Sequence, residues 1–105
     1  MDGQMKKGVL ELCVLGTLSG RQRYGYEVAR EVRARFPEVQ ESTVYAILRR
    51  LRAEGSLECE HRSGSGGPTR KYYRLSAAGR TALCQRLEAW QQMAAAVEAL
   101  CAPEV

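Results

Sequence analysis

Leu57-Glu58-Cys59-Glu60-His61-Arg62, then Ser63-Gly64-Ser65-Gly66-Gly67-Pro68, then Thr69-Arg70-Lys71-Tyr72-Tyr73-Arg74-Leu75: this run, closed by Ser76, organises everything around it. Positions 57–62 read as one strand and 70–75 as a second, since Tyr72 and Tyr73 favour extended backbone. The glycine and serine residues between them make a flexible loop. Two strands flanking one short loop pair as an antiparallel hairpin. Such a loop packs no core, so its cationic flanks Arg62, Arg70 and Lys71 face outward.

Upstream, the pattern predicts three helices. The first covers about 6–18, where Val9, Leu10, Leu12, Cys13, Val14, Leu15 and Leu18 make it apolar nearly all round. A helix of that kind is central to a core or is covered by a partner. Ser19-Gly20 ends it. The second covers 24–36, with Val28, Val32 and Phe36 four residues apart and Pro37 forcing the stop. The third covers 42–54, with Ser42 and Thr43 as candidate caps, Val44, Ile47, Leu48 and Leu51 as the buried stripe, and Gly55 past its end. The short connection from Phe36 to Ser42 makes helices two and three a helix-turn-helix pair. Downstream, Ser76 caps a long fourth helix to about Leu100. Three helices, a hairpin and a last helix are the order of a winged helix-turn-helix: mainly α, with one small β-hairpin and a long C-terminal dimerisation helix. The expected division is 1–75 for the winged unit and 76–105 for the last helix, within one compact domain.

The chain has 105 residues and a formal net charge of +4, a mild excess that fits a nucleic-acid partner without demanding one. Its distribution says more. No acidic residue lies between Glu60 and Glu88, whereas Arg62, Arg70, Lys71, Arg74, Arg80 and Arg86 do, which makes a positive surface if they share a face. Helix three carries Tyr45, Arg49, Arg50 and Arg52 on and beside the side opposite its apolar stripe. An α-helix fits the major groove, where arginine binds guanine edges or phosphates. Amides at the helix start, with Ser42 and Thr43, suit a phosphate oxygen. Arginines on an amphipathic helix are more often merely solvated. Two independent basic elements in the right order, helix and wing, tip the balance to double-stranded DNA.

The motifs resemble those of the PadR family of bacterial transcriptional regulators. The resemblance lies in Gly8-Val9-Leu10-Glu11-Leu12-Cys13-Val14-Leu15-Gly16-Thr17-Leu18, in Tyr24-Gly25-Tyr26-Glu27-Val28, in the run from Ser42 to Gly55, and in Gly67-Pro68-Thr69-Arg70-Lys71-Tyr72-Tyr73-Arg74-Leu75-Ser76 with Gly79. The family commonly has glycine where Ser42 stands and proline where Ala46 stands, so the start of the third helix departs from its pattern. The resemblance implies a dimeric winged-helix regulator, usually a repressor, that releases DNA on an environmental cue. By position it puts DNA contacts on Thr43, Tyr45, Arg49, Arg70 and Lys71.

In the last helix, Leu83, Leu87, Trp90, Ala94, Val97 and Cys101 are spaced 4, 3, 4, 3 and 4, as in a coiled-coil seam. The stripe either covers the chain's own core or seals a homodimer; a helix projecting past the winged unit needs such cover. A two-fold dimer sets two reading helices one turn of DNA apart, on an inverted repeat. Trp90 is an interface anchor, or, as the family resemblance implies, a plate for a flat small-molecule effector. The four cysteines are widely spaced, with no metal-binding pair, so a reduced cytoplasmic setting is expected, without metal or other cofactor. Cys59 and His61 share a strand face but are too few for zinc. No apolar run approaches the roughly 20 residues that span a membrane. No phosphate loop or nucleophile motif points to an enzyme. The alternative is a winged-helix protein-interaction module without specific DNA binding.

Overall fold

The computed structural model describes residues 3–63 and 66–104, with side chains from Lys7 onward. The elements run α1 (Gly3–Thr17), β1 (Arg23–Tyr24), α2 (Gly25–Arg35), α3 (Glu41–Ala53), β2 (Leu57–Ser63), β3 (Thr69–Leu75) and α4 (Ala77–Leu100). Winged-helix order is therefore present, with Gly64 and Ser65 of the expected loop outside the described residues.

One core joins the elements. Leu10, Val14, Leu15 and Leu18 come from α1 and the turn after it, Val28, Ala29 and Val32 from α2, and Val44, Ile47, Leu48 and Leu51 from α3. Leu57, Tyr73 and Leu75 of the sheet close it. Each buried aliphatic side chain adds roughly 1.5–3 kcal/mol against leaving it in water. The α2–α3 turn is stapled by Arg33, whose Nε donates to the carbonyl of buried Val39 at 3.0 Å.

Several boundaries differ by one to three residues from the sequence reading, and three of them bear on the site. Helix two starts at Gly25, because Tyr24 extends to pair with Tyr72 as Arg23 pairs with Tyr73. The sheet thus has three strands, in the order β1-β3-β2. Glu27, three residues on, accepts from the Tyr24 amide at 3.1 Å and fastens this strand-to-helix corner. Helix α3 starts one residue earlier than expected, at Glu41, with Gln40 at the cap position and no side-chain cap. Ser42 and Thr43 are therefore not caps; they lie exposed in the first helical turn. It also stops at Ala53, one residue short of the expected end. Gly55, at φ 86, turns the chain out of it.

The hairpin pairs Leu57 with Leu75 through to Ser63 with Thr69. Its exit is locked by Ser76. The Ser76 hydroxyl donates to the Gly55 carbonyl at 2.6 Å and accepts from the Gly79 amide at 3.0 Å. The Ser76 amide donates to the Ser56 carbonyl at 3.0 Å. This pulls α4 so close that a Cβ on Gly79 would lie 1.9 Å from the Ser56 oxygen. The Ser-x-x-Gly motif thereby welds α4 to the end of α3. Beyond the weld α4 projects, and the molecule measures 62 × 29 × 21 Å. Its radius of gyration is 15.8 Å, against about 13 Å for a compact domain of this size. Among the described residues no helix is long and apolar enough to cross a membrane.

Candidate nucleic-acid interface

A groove of about 490 Å³ opens between the start of α2, the outer face of α3 and strand β3. Its walls are aromatic: Tyr24, Tyr26, Tyr45 and Tyr73. Its cations are Arg49 from α3 and Arg70 and Lys71 from the wing. Helix three and the wing, remote from each other in sequence, thus converge on one concave surface.

Gly25 makes that surface possible. It is buried under two rings, and a Cβ there would stand 3.0 Å from Tyr45 Cε1 and 3.5 Å from Tyr73 Cε2. Tyr24 then stacks on Tyr26 with centroids 5.9 Å apart and meets Tyr72 edge-on at 5.6 Å. The Arg70 guanidinium lies 4.8 Å above the Tyr24 ring, which fixes its direction without neutralising its charge. Among the described residues Arg49 and Lys71 make no ion pair. The site therefore carries uncompensated positive charge on a rigid support.

Both phenols are held protonated. Burial pushes the Tyr73 hydroxyl above its ordinary value, outweighing the opposing pull of Arg52 and Arg49. Burial also raises Tyr45, helped by the hydrogen bond it donates to Glu41 Oε1 at 2.9 Å. Glu41, in the first turn of α3, is a carboxylate that a reading of basic residues passes over. Its i,i+4 spacing to Tyr45 was the available signal. Gly25, framed by two tyrosines, was visible too, but its use depends on the tertiary approach of Tyr45.

The remaining sequence candidates separate. Ser42, Thr43 and Arg49 are exposed along α3. Arg50 turns away: its guanidinium is ion-paired with Glu11 of α1 and lies 3.8 Å from Glu54. Arg62 belongs to a ladder of exposed charges on β2 and β3. Its Nε lies 3.3 Å from Glu60, Glu60 is 3.3 Å from Arg74, and Arg74 is 3.2 Å from Glu58. The Arg62 guanidinium also sits 4.9 Å over Tyr72. Of the cations between Glu60 and Glu88, Arg62, Arg70 and Arg74 share one face of the sheet and Lys71 takes the other. Arg62 and Arg74 join this ladder, Arg80 reaches the Leu75 carbonyl at 3.4 Å, and Arg86 pairs with Glu11 at 3.0 Å. Alternation of side chains across strands and wrapping of α4 disperse a run that is continuous in sequence.

On α4, Leu83 packs against the chain's own core, while Ala94 is half-buried. Leu87, Trp90 and Val97 are 42%, 43% and 53% exposed, and Cys101 is exposed. Met93 and Leu100, outside the expected stripe, extend this apolar face. Val9 and Leu12 of α1, with Ala89, Trp90 and Met93 of α4, line a second concavity of about 400 Å³. Among the described residues no three His, Cys, Asp or Glu side chains are grouped to hold a metal. Burial pushes the Cys13 thiol up, away from thiolate chemistry.

Comparison with known proteins agrees with this architecture. A PadR-like transcriptional regulator from Bacillus cereus superposes with a TM-score of 0.85 at 34% identity, over 97% of this chain and 100% of that one. A Streptococcus transcriptional regulator gives 0.85 at 32%, over 94% and 98%. Bacillus subtilis PadR, solved in complex with operator DNA, shares the fold with a TM-score of 0.67 at 23%, over 75% of this chain and 46% of that one. The model of the transcriptional regulator PadR-like family matches residues 14–85. The weld at Ser76, the tyrosine-lined groove and these matches agree: the chain belongs to the PadR-like family of transcriptional regulators, not to an enzyme family.

Proposed function

We propose that the protein is a homodimeric repressor, working in the cytoplasm, that binds an inverted-repeat operator with α3 in the major groove and the wing alongside. The observation that carries the proposal is the convergence of unpaired Arg49 and Lys71 with ring-mounted Arg70 on the open side of α3. Arg49 reads a base edge, and Lys71 and Arg70 neutralise backbone phosphates. Thr43 and Ser42 receive a phosphate at the helix start, with the Tyr45 ring beside them. Arg50 and Arg62, held by Glu11 and by Glu60 respectively, are lesser contributors. The operator complex of Bacillus subtilis PadR supports the choice of partner.

The dimer is supported by the apolar face of α4, where Leu87, Trp90, Met93, Val97 and Leu100 are left in water by a single chain. A second copy covering them removes that cost. Trp90, at the edge of the concavity between α1 and α4, is the surface on which a flat effector would stack.

Fluorescence anisotropy with duplex DNA from upstream of the protein's own gene tests this. A preference over scrambled duplex of about 1,000-fold or more is expected, weakening steeply with salt. No preference over scrambled duplex would favour the alternative, a winged-helix protein-interaction module without specific DNA binding.

A further inference from the structure

One carboxylate connects the DNA-facing helix to the groove beside α4. Glu11 lies on α1 with its side chain 16% exposed. The Arg50 guanidinium of α3 takes its Oε1, and Arg86 Nη1 of α4 donates to Oε2 at 3.0 Å. The three residues are remote in sequence and come from three helices. The two guanidiniums share one carboxylate, each holding a different oxygen, so a shift of either arm alters the Glu11 side chain that the other depends on.

Each arm ends at a different surface. Arg50 follows Arg49, the cation that α3 contributes to the aromatic groove. On a helix, adjacent residues differ in direction by about 100°, so any turn of α3 on its buried stripe that moves Arg50 against Glu11 also moves Arg49. Arg86 lines the concavity between α1 and α4 together with Glu11 and Trp90. An occupant of that concavity presses on the Arg86–Glu11 pair.

We infer that Glu11 is a positioning residue for the reading helix: through Arg50 it sets the pose of α3, and through Arg86 it makes that pose depend on what fills the α1–α4 groove. The inference rests on the DNA-binding role proposed above. Coupling between two sites is reciprocal, so engagement of DNA by α3 is also felt in the groove. Trp90 is the chain's single tryptophan, which makes its emission a reporter placed there by the sequence.

The test compares wild type with Arg86→Gln and Glu11→Gln, at concentrations where sizing gives all three the same oligomeric state. Each is titrated with upstream duplex and with scrambled duplex of equal length, following anisotropy and Trp90 emission. In the wild type the upstream duplex is expected to shift the emission. Arg86→Gln, altered on the α4 side only, is expected to lose the shift. Its preference for upstream over scrambled duplex falls about tenfold, with an unchanged salt slope. Glu11→Gln loses the shift too, and its released Arg50 steepens the salt dependence by about one phosphate. A structural role alone would lower stability in urea and weaken both duplexes alike, and that result overturns the inference. So does an Arg86→Gln protein with wild-type preference and wild-type shift, or a wild type whose emission ignores bound DNA. A wild type with no preference for upstream duplex overturns the DNA-binding role itself, and is seen before any variant is made.

Discussion

The two exposed surfaces of this molecule are finished to different degrees. The groove between α3 and the wing is complete within one chain: Gly25 admits the rings of Tyr45 and Tyr73, Tyr24 carries Arg70, and Arg49 and Lys71 project from backbone in regular structure. The apolar face of α4 is incomplete, leaving Leu87, Trp90 and Val97 about half exposed, with Leu100 88% exposed. A polar site can stand in water indefinitely, whereas an apolar stripe of that extent is stabilised by cover. The first surface depends on internal packing, the second on something outside the chain.

The largest expected effect breaks both surfaces at once, at their shared joint. Gly79→Ala places a methyl group 1.9 Å from the Ser56 carbonyl oxygen. That oxygen is backbone, held by the Ser76 amide, so it cannot step aside as a flexible side chain would. A loss of about 3–5 kcal/mol is expected, at the top of the range for single substitutions. Urea denaturation checks it. A loss under about 1 kcal/mol would mean that α4 is free to tilt, and that its pose relative to α3 is not fixed by this weld.

Trp90→Ala separates the surfaces. Trp90 is 43% exposed in the single chain, so its removal leaves the monomer core intact. If a second copy covers it, truncation of such an aromatic anchor costs about 2 kcal/mol or more of association, and sedimentation velocity shows a shift toward monomer. An unchanged assembly at every dilution would place the interface elsewhere and leave Trp90 to a small ligand.

How much of each surface could be read in advance follows from the same distinction. The helices, the hairpin and the Ser76 cap were legible because periodicity and local signals carry them. The outward side of α3, with Arg49, is set by helical period, whereas Arg70 and Lys71, adjacent on β3, take opposite faces and meet at the groove only through the tertiary fold. Arg50 was not legible. It sits beside Arg49 in sequence, but its guanidinium answers to Glu11, 39 residues away. Strand β1 was missed because two residues hold no period, and Tyr24 serves both the sheet and the start of α2. The continuous run of cations failed as a patch because β alternation and the path of α4 decide which side each one takes. Contacts between remote elements have no local signature, and they are what turned Arg50 and Arg86 away from the groove.

Within the finished surface, two substitutions of equal charge are expected to differ in kind. Arg49→Ala should cost about 1–3 kcal/mol of discrimination at one base position, read as a loss of preference between operator variants. Lys71→Ala should weaken all duplexes alike and lower the salt slope by about 1. If both variants lose affinity uniformly, Arg49 touches phosphate only, and the operator is chosen by shape.

The smallest effect concerns the ladder on the outer strand β2, where Arg62, directly across from Arg70, is held by Glu60. Glu60 is exposed, and the guanidinium of Arg62, then that of Arg74, holds its carboxyl below the usual range. A carboxyl whose folded value is depressed stabilises the fold at pH above its unfolded value, and that contribution disappears as pH falls through the folded value. Glu60→Gln should therefore leave neutral-pH stability within error of wild type and flatten its acid limb slightly, as followed by thermal melting across pH. The same change frees Arg62. If the ladder is what keeps Arg62 from DNA, the variant should bind scrambled duplex slightly better, with Arg49-dependent discrimination intact. Unchanged binding would mean that its place on the outer strand, not the carboxylate, keeps Arg62 from DNA.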